Sequence, residues 1–279
     1  MGGIGKTQLA VEFAHRYGRY FAGGVFWLSF AQPESIEAQI AACGGPGHLN
    51  LRPDFNELKQ AEQVELVQKA WAESTPRLLI FDGCEDEEPL IKWRPTFGGC
   101  RIIVTSRRGH WSPGLGLTPL VLGVLNREES TALLRQLQPM LTEVEAHDIA
   151  EELGDLPLAL HLAGSFLHSY YYDIPPHTYL AQLRALRGGK LLEHLSLQGW
   201  GTDYLPTGHE AHVGRTFALS YDRLNPDDAP DRMAQALLAR AACFAPNDPI
   251  PRELLKQSIS TAFAPVLEIC FDITVSPAN

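Results

Sequence analysis

The chain opens Met1-Gly2-Gly3-Ile4-Gly5-Lys6-Thr7, and an amphipathic run starts directly behind it. This opening narrows the possible folds more than any other feature. It matches the end of the phosphate-binding pattern G-x-x-x-x-G-K-[ST], in which a glycine loop launches a helix. Leu9, Ala10, Phe13, Ala14 and Tyr17 recur at spacings of three and four, which predicts that helix. Glycines let backbone N–H groups converge on a phosphate with no Cβ in the way. In this reading Lys6 meets the β- and γ-phosphates and Thr7 offers its hydroxyl to Mg2+, while the helix N-terminus adds its positive end. Gly2, Gly3, Ile4, Gly5, Lys6, Thr7 and Gln8 are therefore the candidate nucleotide contacts, with ADP or ATP as the cofactor. The pattern's first glycine falls one residue before Met1. The chain is thus expected to begin inside its own nucleotide site, with the launching strand upstream, and to bind nucleotide weakly by itself. The competing reading is a glycine-rich tail that contains Gly-Lys-Thr by chance.

A phosphate loop of this kind needs a metal-binding acid at the end of another strand. Residues 78–81 are Leu-Leu-Ile-Phe and run into Asp82, which places an acid at the carboxyl edge of a sheet, where α/β ligands bind. Thr7 and Asp82 are the candidate metal ligands. The alternative is an aspartate that merely ends a strand in a turn with Gly83. Many nucleotide hydrolases put a second acid directly after the first. Here that place is Gly83, and Glu85 follows two residues later, so turnover is expected to be slow at most. A third apolar run, residues 102–104, leads into Thr105-Ser106-Arg107-Arg108. A polar residue and an arginine at a strand's carboxyl end are placed to sense a γ-phosphate; the alternative is a solvated basic turn. Asp82, Glu85 and Arg107 are the candidate catalytic residues.

Residues 25–28 form a further apolar run, and helical patterns lie between the runs, one of them over residues 61–72. Strands alternating with helices predict a parallel sheet covered on both faces, so the fold class is α/β. Residues 119–122 are expected to add a fourth strand. Beyond Gly123 the texture becomes helical. Asn126 with Glu129 and Thr142 with Glu145 carry capping-box spacing, and Gly154 stands where a helix would end. Residues 156–187 are helical in pattern. Residues 199–208 hold three glycines and a proline and read as a linker. Helical patterns return over residues 211–221, 232–244 and 251–259.

Four of these motifs, GGIGKT, LLIFD, IIVTSR and the Leu153-Gly154-Asp155-Leu156-Pro157-Leu158-Ala159 segment, occur in the order found in the NB-ARC family of signal-transduction ATPases. The chain resembles that family over residues 1–258. The resemblance implies a P-loop NTPase sheet (1–123), a small helical domain (124–198), a linker (199–210) and a partial winged-helix domain (211–259), followed by a divergent tail (260–279). It implies that Pro157 packs against the adenine ring and that Arg107 is the γ-phosphate sensor. It also implies a switch in which ADP holds the modules closed, while exchange for ATP opens them and permits assembly, as a homo-oligomer when ATP is bound. Protein partners are expected to dock through C-terminal repeats that this chain lacks. The family's Met-His-Asp triplet does not occur in the sequence. Two other readings stay open: a non-hydrolysing interaction module, and a phosphotransferase built on the same loop.

Composition decides the remaining partners. There are 33 acidic and 23 basic residues, a net charge of -10, which argues against nucleic acid as a partner. The basic residues that follow the linker (Arg215, Arg223, Arg232, Arg240) alternate with Asp222, Asp227, Asp228 and Asp231, a pattern expected of a mixed, solvated surface. The longest apolar stretch, residues 156–167, is too short for a bilayer, which needs about 20 residues. Five scattered cysteines, none spaced C-x-x-C, fit a reducing cytoplasm. The triplet Tyr170-Tyr171-Tyr172 is read as interhelical packing rather than base stacking. His209-Glu210-Ala211-His212 is one residue short of the H-E-x-x-H zinc pattern and is set aside.

Overall fold

A computed structural model describes residues 2–186, 208–244 and 250–255. The chain divides into two compact units, Met1–Gly123 and Val124–Asn279.

The first unit is built on three parallel strands, β1 (Val25–Ser29), β2 (Arg77–Asp82) and β3 (Cys100–Val104), in the order β1-β2-β3. β2 is central, and Leu78, Leu79, Ile80 and Phe81 are all buried, as an unbroken apolar run requires when both strand faces are covered. One face of the sheet, through Phe26, Leu28, Leu79 and Phe81, packs against α2 (Pro33–Ala42) and α3 (Gln60–Trp71) and forms the main core with Ile36, Ile40, Val67 and Trp71. The opposite face is thinner. Leu78 and Ile80 lie there under Ala10, Phe13 and Ala14 of α1 (Lys6–Tyr17). Each fully buried side chain of this size contributes about 1.5–3 kcal/mol. A short α4 (Glu87–Trp93) follows β2.

The two sheet edges differ. On β1 the side-chain amide of Gln39 bonds both the N–H (2.7 Å) and the carbonyl (3.0 Å) of Ser29, which covers the outer edge at that one residue as a neighbouring strand would. β3 has no such cover among the described residues. The Thr105 N–H turns to Phe81, so alternation points the backbone groups of Ile102 and Val104 away from β2. The strand expected at residues 119–122 does not form. That segment is irregular and pairs with no strand, with Leu120 76 % and Val121 90 % exposed. A strand exists only through its ladder, and no described strand lies beside this one; Pro119 also lacks a donor.

The second unit is helical: α5 (Arg127–Leu137), α6 (Glu143–Glu152), α7 (Pro157–Tyr170), α8 (Pro176–Ala185), α9 (Gly208–Tyr221) and α10 (Ala229–Ala241). Both capping boxes form in full, at Asn126/Glu129 and Thr142/Glu145. Gly154 ends the turn after α6 with φ 63°, where a Cβ would also crowd the His212 ring. Leu156 then returns to extended backbone, and Pro157 is the first residue of α7, the position where its missing N–H costs nothing. The helical pattern over 156–187 is broken once, where Pro175 and Pro176 start α8. α9 packs on α7 and α8.

One expectation is overturned in α9. Arg215 is 4 % exposed, not solvated. Its guanidinium donates to the Glu152 carboxylate at 2.5 Å and to the backbone carbonyls of Glu152 (3.0 Å) and Leu183 (3.1 Å). Tyr170 packs on Phe166 at 5.0 Å and lies under Arg223, whereas Tyr172 is 86 % exposed. No strand occurs in the second unit among the described residues. Residues 252–255 begin a helical turn. The rest of the pattern expected at 251–259, most of the linker and the tail lie outside the described residues. No described helix is long and apolar enough to cross a membrane.

Candidate functional site

The site stands at the carboxyl ends of β2 and β3, where the first helix begins. Gly3 (φ 74°) and Gly5 (φ 92°) take left-handed backbone to turn the loop into α1. Gly5 is the N-cap of α1 and supplies no side-chain cap, so the first-turn N–H groups remain donors for an anion. A Cβ built at Gly2 or Gly5 would meet no atom within 4 Å, so the loop borders open space. Ile4 is half-buried, and Gln8 is exposed on the first turn of α1.

Thr7 reaches across 75 positions of sequence. Its hydroxyl donates to Asp82 Oδ1 at 2.9 Å. The loop and the strand end are therefore joined through the two residues picked out as metal ligands. The same Asp82 oxygen also accepts from the Thr105 hydroxyl at 2.5 Å. Lys6 is half-buried beside them. Burial pulls its ammonium below the ordinary lysine pKa. The carboxylate of Glu85 opposes that shift, the Arg107 cation adds to it, and Asp82 opposes it. Lys6, Asp82, Glu85 and Arg107 thus share one electrostatic field.

Glu85 is occupied by its neighbours. Its carboxylate accepts from the Ser106 hydroxyl (3.2 Å), from the Arg107 N–H (3.1 and 3.2 Å to its two oxygens) and from Arg107 Nε (3.1 Å). Partial burial acts to raise its pKa, but the Arg107 backbone N–H and guanidinium, with Ser106, outweigh it and hold the carboxyl below its ordinary value. Arg107 itself remains largely open, its side chain 64 % exposed. Arg108 turns elsewhere. It bonds Glu87 (2.9 Å) and the His110 carbonyl (2.6 Å) and lies 5.3 Å from the centre of the Trp111 ring.

The candidate residues of the first unit therefore converge. Pro157 belongs to the second unit, at the head of α7. Thr105 stands in the turn picked out from sequence for a polar residue and an arginine that sense a γ-phosphate, but its contact with Asp82 was not foreseen. It is 6 % exposed, and it accepts the Gly83 N–H at 2.9 Å besides donating to Asp82. Its sequence signal is a hydroxyl residue directly after an apolar strand, within the IIVTSR motif. Among the described residues no group of three or more His, Cys, Asp and Glu side chains is arranged to hold a metal ion. A metal here would have to be held jointly by protein and ligand.

No family model matches the chain. It is similar to the regulatory protein AfsR of Streptomyces griseus, 26 % identical over 281 residues, covering 94 % of this chain and 27 % of that protein. It is also similar to the AfsR of Streptomyces coelicolor, 27 % identical over 240 residues (82 % and 22 %). A third relative is the disease resistance RPP8-like protein 3 of Arabidopsis thaliana, 27 % identical over 247 residues (81 % and 25 %). The chain spans about a quarter of the length of these relatives.

Proposed function

We propose that this chain is the nucleotide-binding part of a larger regulatory protein, an NB-ARC-type module that holds ADP or ATP with Mg2+. The observation that carries the reading is the Thr7–Asp82 hydrogen bond at 2.9 Å, made beside Lys6 at the start of a helix that leaves a positive-φ glycine. The residues suit the ligands. Thr7 and Asp82 offer hard oxygen donors, which Mg2+ prefers, and it binds through one or two such groups plus phosphate oxygens. The loop N–H groups and Lys6 offer donors and charge to phosphates. The similarity to regulatory and disease-resistance proteins supports a signalling role, in which nucleotide exchange controls domain opening and assembly.

Within this reading each residue has one task. Lys6 balances the phosphate charge. Thr7 and Asp82 would hold the metal, which would supply positive charge to the phosphates. Arg107 meets a γ-phosphate. Glu85 holds Arg107 and the Ser106 hydroxyl rather than acting as a free base, because every contact it makes commits its lone pairs. With Gly83 directly after Asp82, no carboxylate stands next to the metal acid to polarise water. This favours a slow or non-hydrolysing switch over a turnover enzyme.

The test is titration calorimetry with Mg-ADP and Mg-ATP, comparing the chain with Lys6→Ala. Losing a charge-assisted contact worth about 1.5–3 kcal/mol weakens binding by about tenfold to a hundredfold. A Lys6→Ala protein that binds ATP within a factor of about three of the unsubstituted chain defeats the phosphate-loop reading.

A further inference from the structure

We propose that Thr105 is the positioning residue for Asp82, fixing which carboxylate oxygen faces the metal and tying the metal acid to the strand that carries Arg107. The inference rests on the nucleotide reading above and adds a residue to it.

The three polar groups of Thr105 make four hydrogen bonds, all to residues 81–84. Its N–H donates to the Phe81 carbonyl (3.0 Å), and its carbonyl accepts the Cys84 N–H (3.0 Å). Its hydroxyl donates to Asp82 Oδ1 (2.5 Å) and accepts the Gly83 N–H (2.9 Å). The hydroxyl takes the Gly83 N–H between the two backbone bonds that join Thr105 to Phe81 and Cys84. Asp82 Oδ1 therefore receives two hydroxyl donors, Thr105 from the sheet side and Thr7 from the loop. Oδ2 receives none among the described residues and is the oxygen left to a cation. A carboxylate with one oxygen held twice has a single orientation, which is the condition for a two-residue metal site.

The same residue joins two functions. Arg107 lies two positions beyond Thr105 on the same strand end, and Ser106 and Arg107 are clasped by Glu85. A shift of Arg107 along its strand is transmitted through the Thr105 hydroxyl to Asp82. Thr105 touches neither nucleotide nor metal in this account; it acts through Asp82.

The experiment compares Thr105→Val, which keeps the shape and removes the hydroxyl, with Thr105→Ser, which keeps the hydroxyl. ADP affinity is measured with excess Mg2+ and with EDTA, and thermal unfolding of each nucleotide-free protein serves as the check on folding. Thr105→Val is expected to lose about tenfold or more of the Mg2+ enhancement, as befits a lost hydrogen bond to a charged group, while its metal-free affinity stays within about threefold. Thr105→Ser is expected to retain the enhancement. If Thr105→Val does not fold, Thr105→Cys makes the same comparison, since a thiol is only a weak donor. An unchanged Mg2+ enhancement in Thr105→Val overturns the proposal. So does an equal loss with and without metal, which marks Thr105 as shaping the loop. A wild-type chain with no Mg2+ enhancement at all overturns the metal reading on which the proposal stands, and the two failures are told apart by which protein shows them.

Discussion

Asp155 adopts φ 56°, left-handed backbone that aspartate tolerates better than most side chains. Arg127 grips it twice, Nε to Oδ1 and Nη2 to Oδ2, both at 2.8 Å. The Asp155 carbonyl also accepts the Leu125 N–H, so one residue ties the entry to α5 to the turn between α6 and α7. The Arg127 hydrogen bonds hold the Asp155 carboxyl below its ordinary value of 3.8, against an opposing burial effect. A carboxyl whose folded pKa is depressed stabilises the fold in full above the unfolded value. That contribution disappears as the pH falls through the folded value. Asp155→Asn keeps the left-handed turn and removes the charge. It is expected to cost about 1–2 kcal/mol at neutral pH, between a charge-assisted bond and an exposed pair. Urea denaturation at pH 7 and near pH 3 checks this, because the gap between wild type and variant should narrow in acid. A gap of equal size at both pH values would show that the carboxylate charge contributes nothing.

At the scale of elements, α9 is held to α6 and α8 through a buried ion pair. The Glu152 and Arg215 side chains are 1 % and 5 % exposed, and Arg184 adds a second contact to Glu152 at 3.2 Å. Removing one partner strands a buried charge, so Glu152→Ala is expected to cost about 3–5 kcal/mol. Replacing both partners at once, with Glu152→Met and Arg215→Leu, should recover most of that loss, because no buried charge then remains unpaired, Arg184 being half-exposed. Thermal or urea unfolding of the three proteins decides it; a double variant no more stable than Glu152→Ala would mean that the pair is not the source of the cost. This contact was invisible in the sequence. Its partners stand 63 positions apart, and Arg215 sits in a stretch where basic and acidic residues alternate. Local signals were readable where the physics is local. The three apolar strands, both capping boxes and the glycine after α6 all follow from neighbouring residues. α2 and α4 were missed, one weakly amphipathic and the other only 7 residues long. At the candidate site, Lys6, Thr7, Asp82 and Arg107 carried motif spacing, whereas Glu85 stands two residues past the expected place of a second acid. Thr105 lies in the IIVTSR motif, but its bond to Asp82 depends on strand register and was not readable there.

For the whole molecule, a switch requires the two nucleotides to favour different states. Moving a two-state equilibrium from 1:99 to 99:1 takes a preference of about 10⁴-fold, or about 5.5 kcal/mol. A guanidinium contact to a γ-phosphate supplies about 1.5–3 kcal/mol. Under the proposed reading Arg107 would bias the switch without completing it, and the remainder would have to come from other contacts that differ between the states. Its release from Glu85 costs little, since an exposed pair of this kind contributes about 1 kcal/mol or less. Arg108 is differently placed. It is committed to Glu87, the His110 carbonyl and the Trp111 ring, and Glu87 is further held by the Ser112 N–H (2.9 Å) and hydroxyl (2.6 Å). We therefore expect Arg107→Ala to spare ADP within about threefold and to weaken a non-hydrolysable ATP analogue about tenfold to a hundredfold. Arg108→Ala should change neither by more than about threefold, and the double variant should match Arg107→Ala. Titration of all three with both nucleotides separates the outcomes. Equal losses for ADP and the analogue would make Arg107 a wall of the pocket. A loss that appears only in Arg108→Ala would move the sensor to the neighbouring residue. No loss in the double variant would leave the Thr105–Arg108 turn as solvated surface and remove the γ-phosphate from the switch.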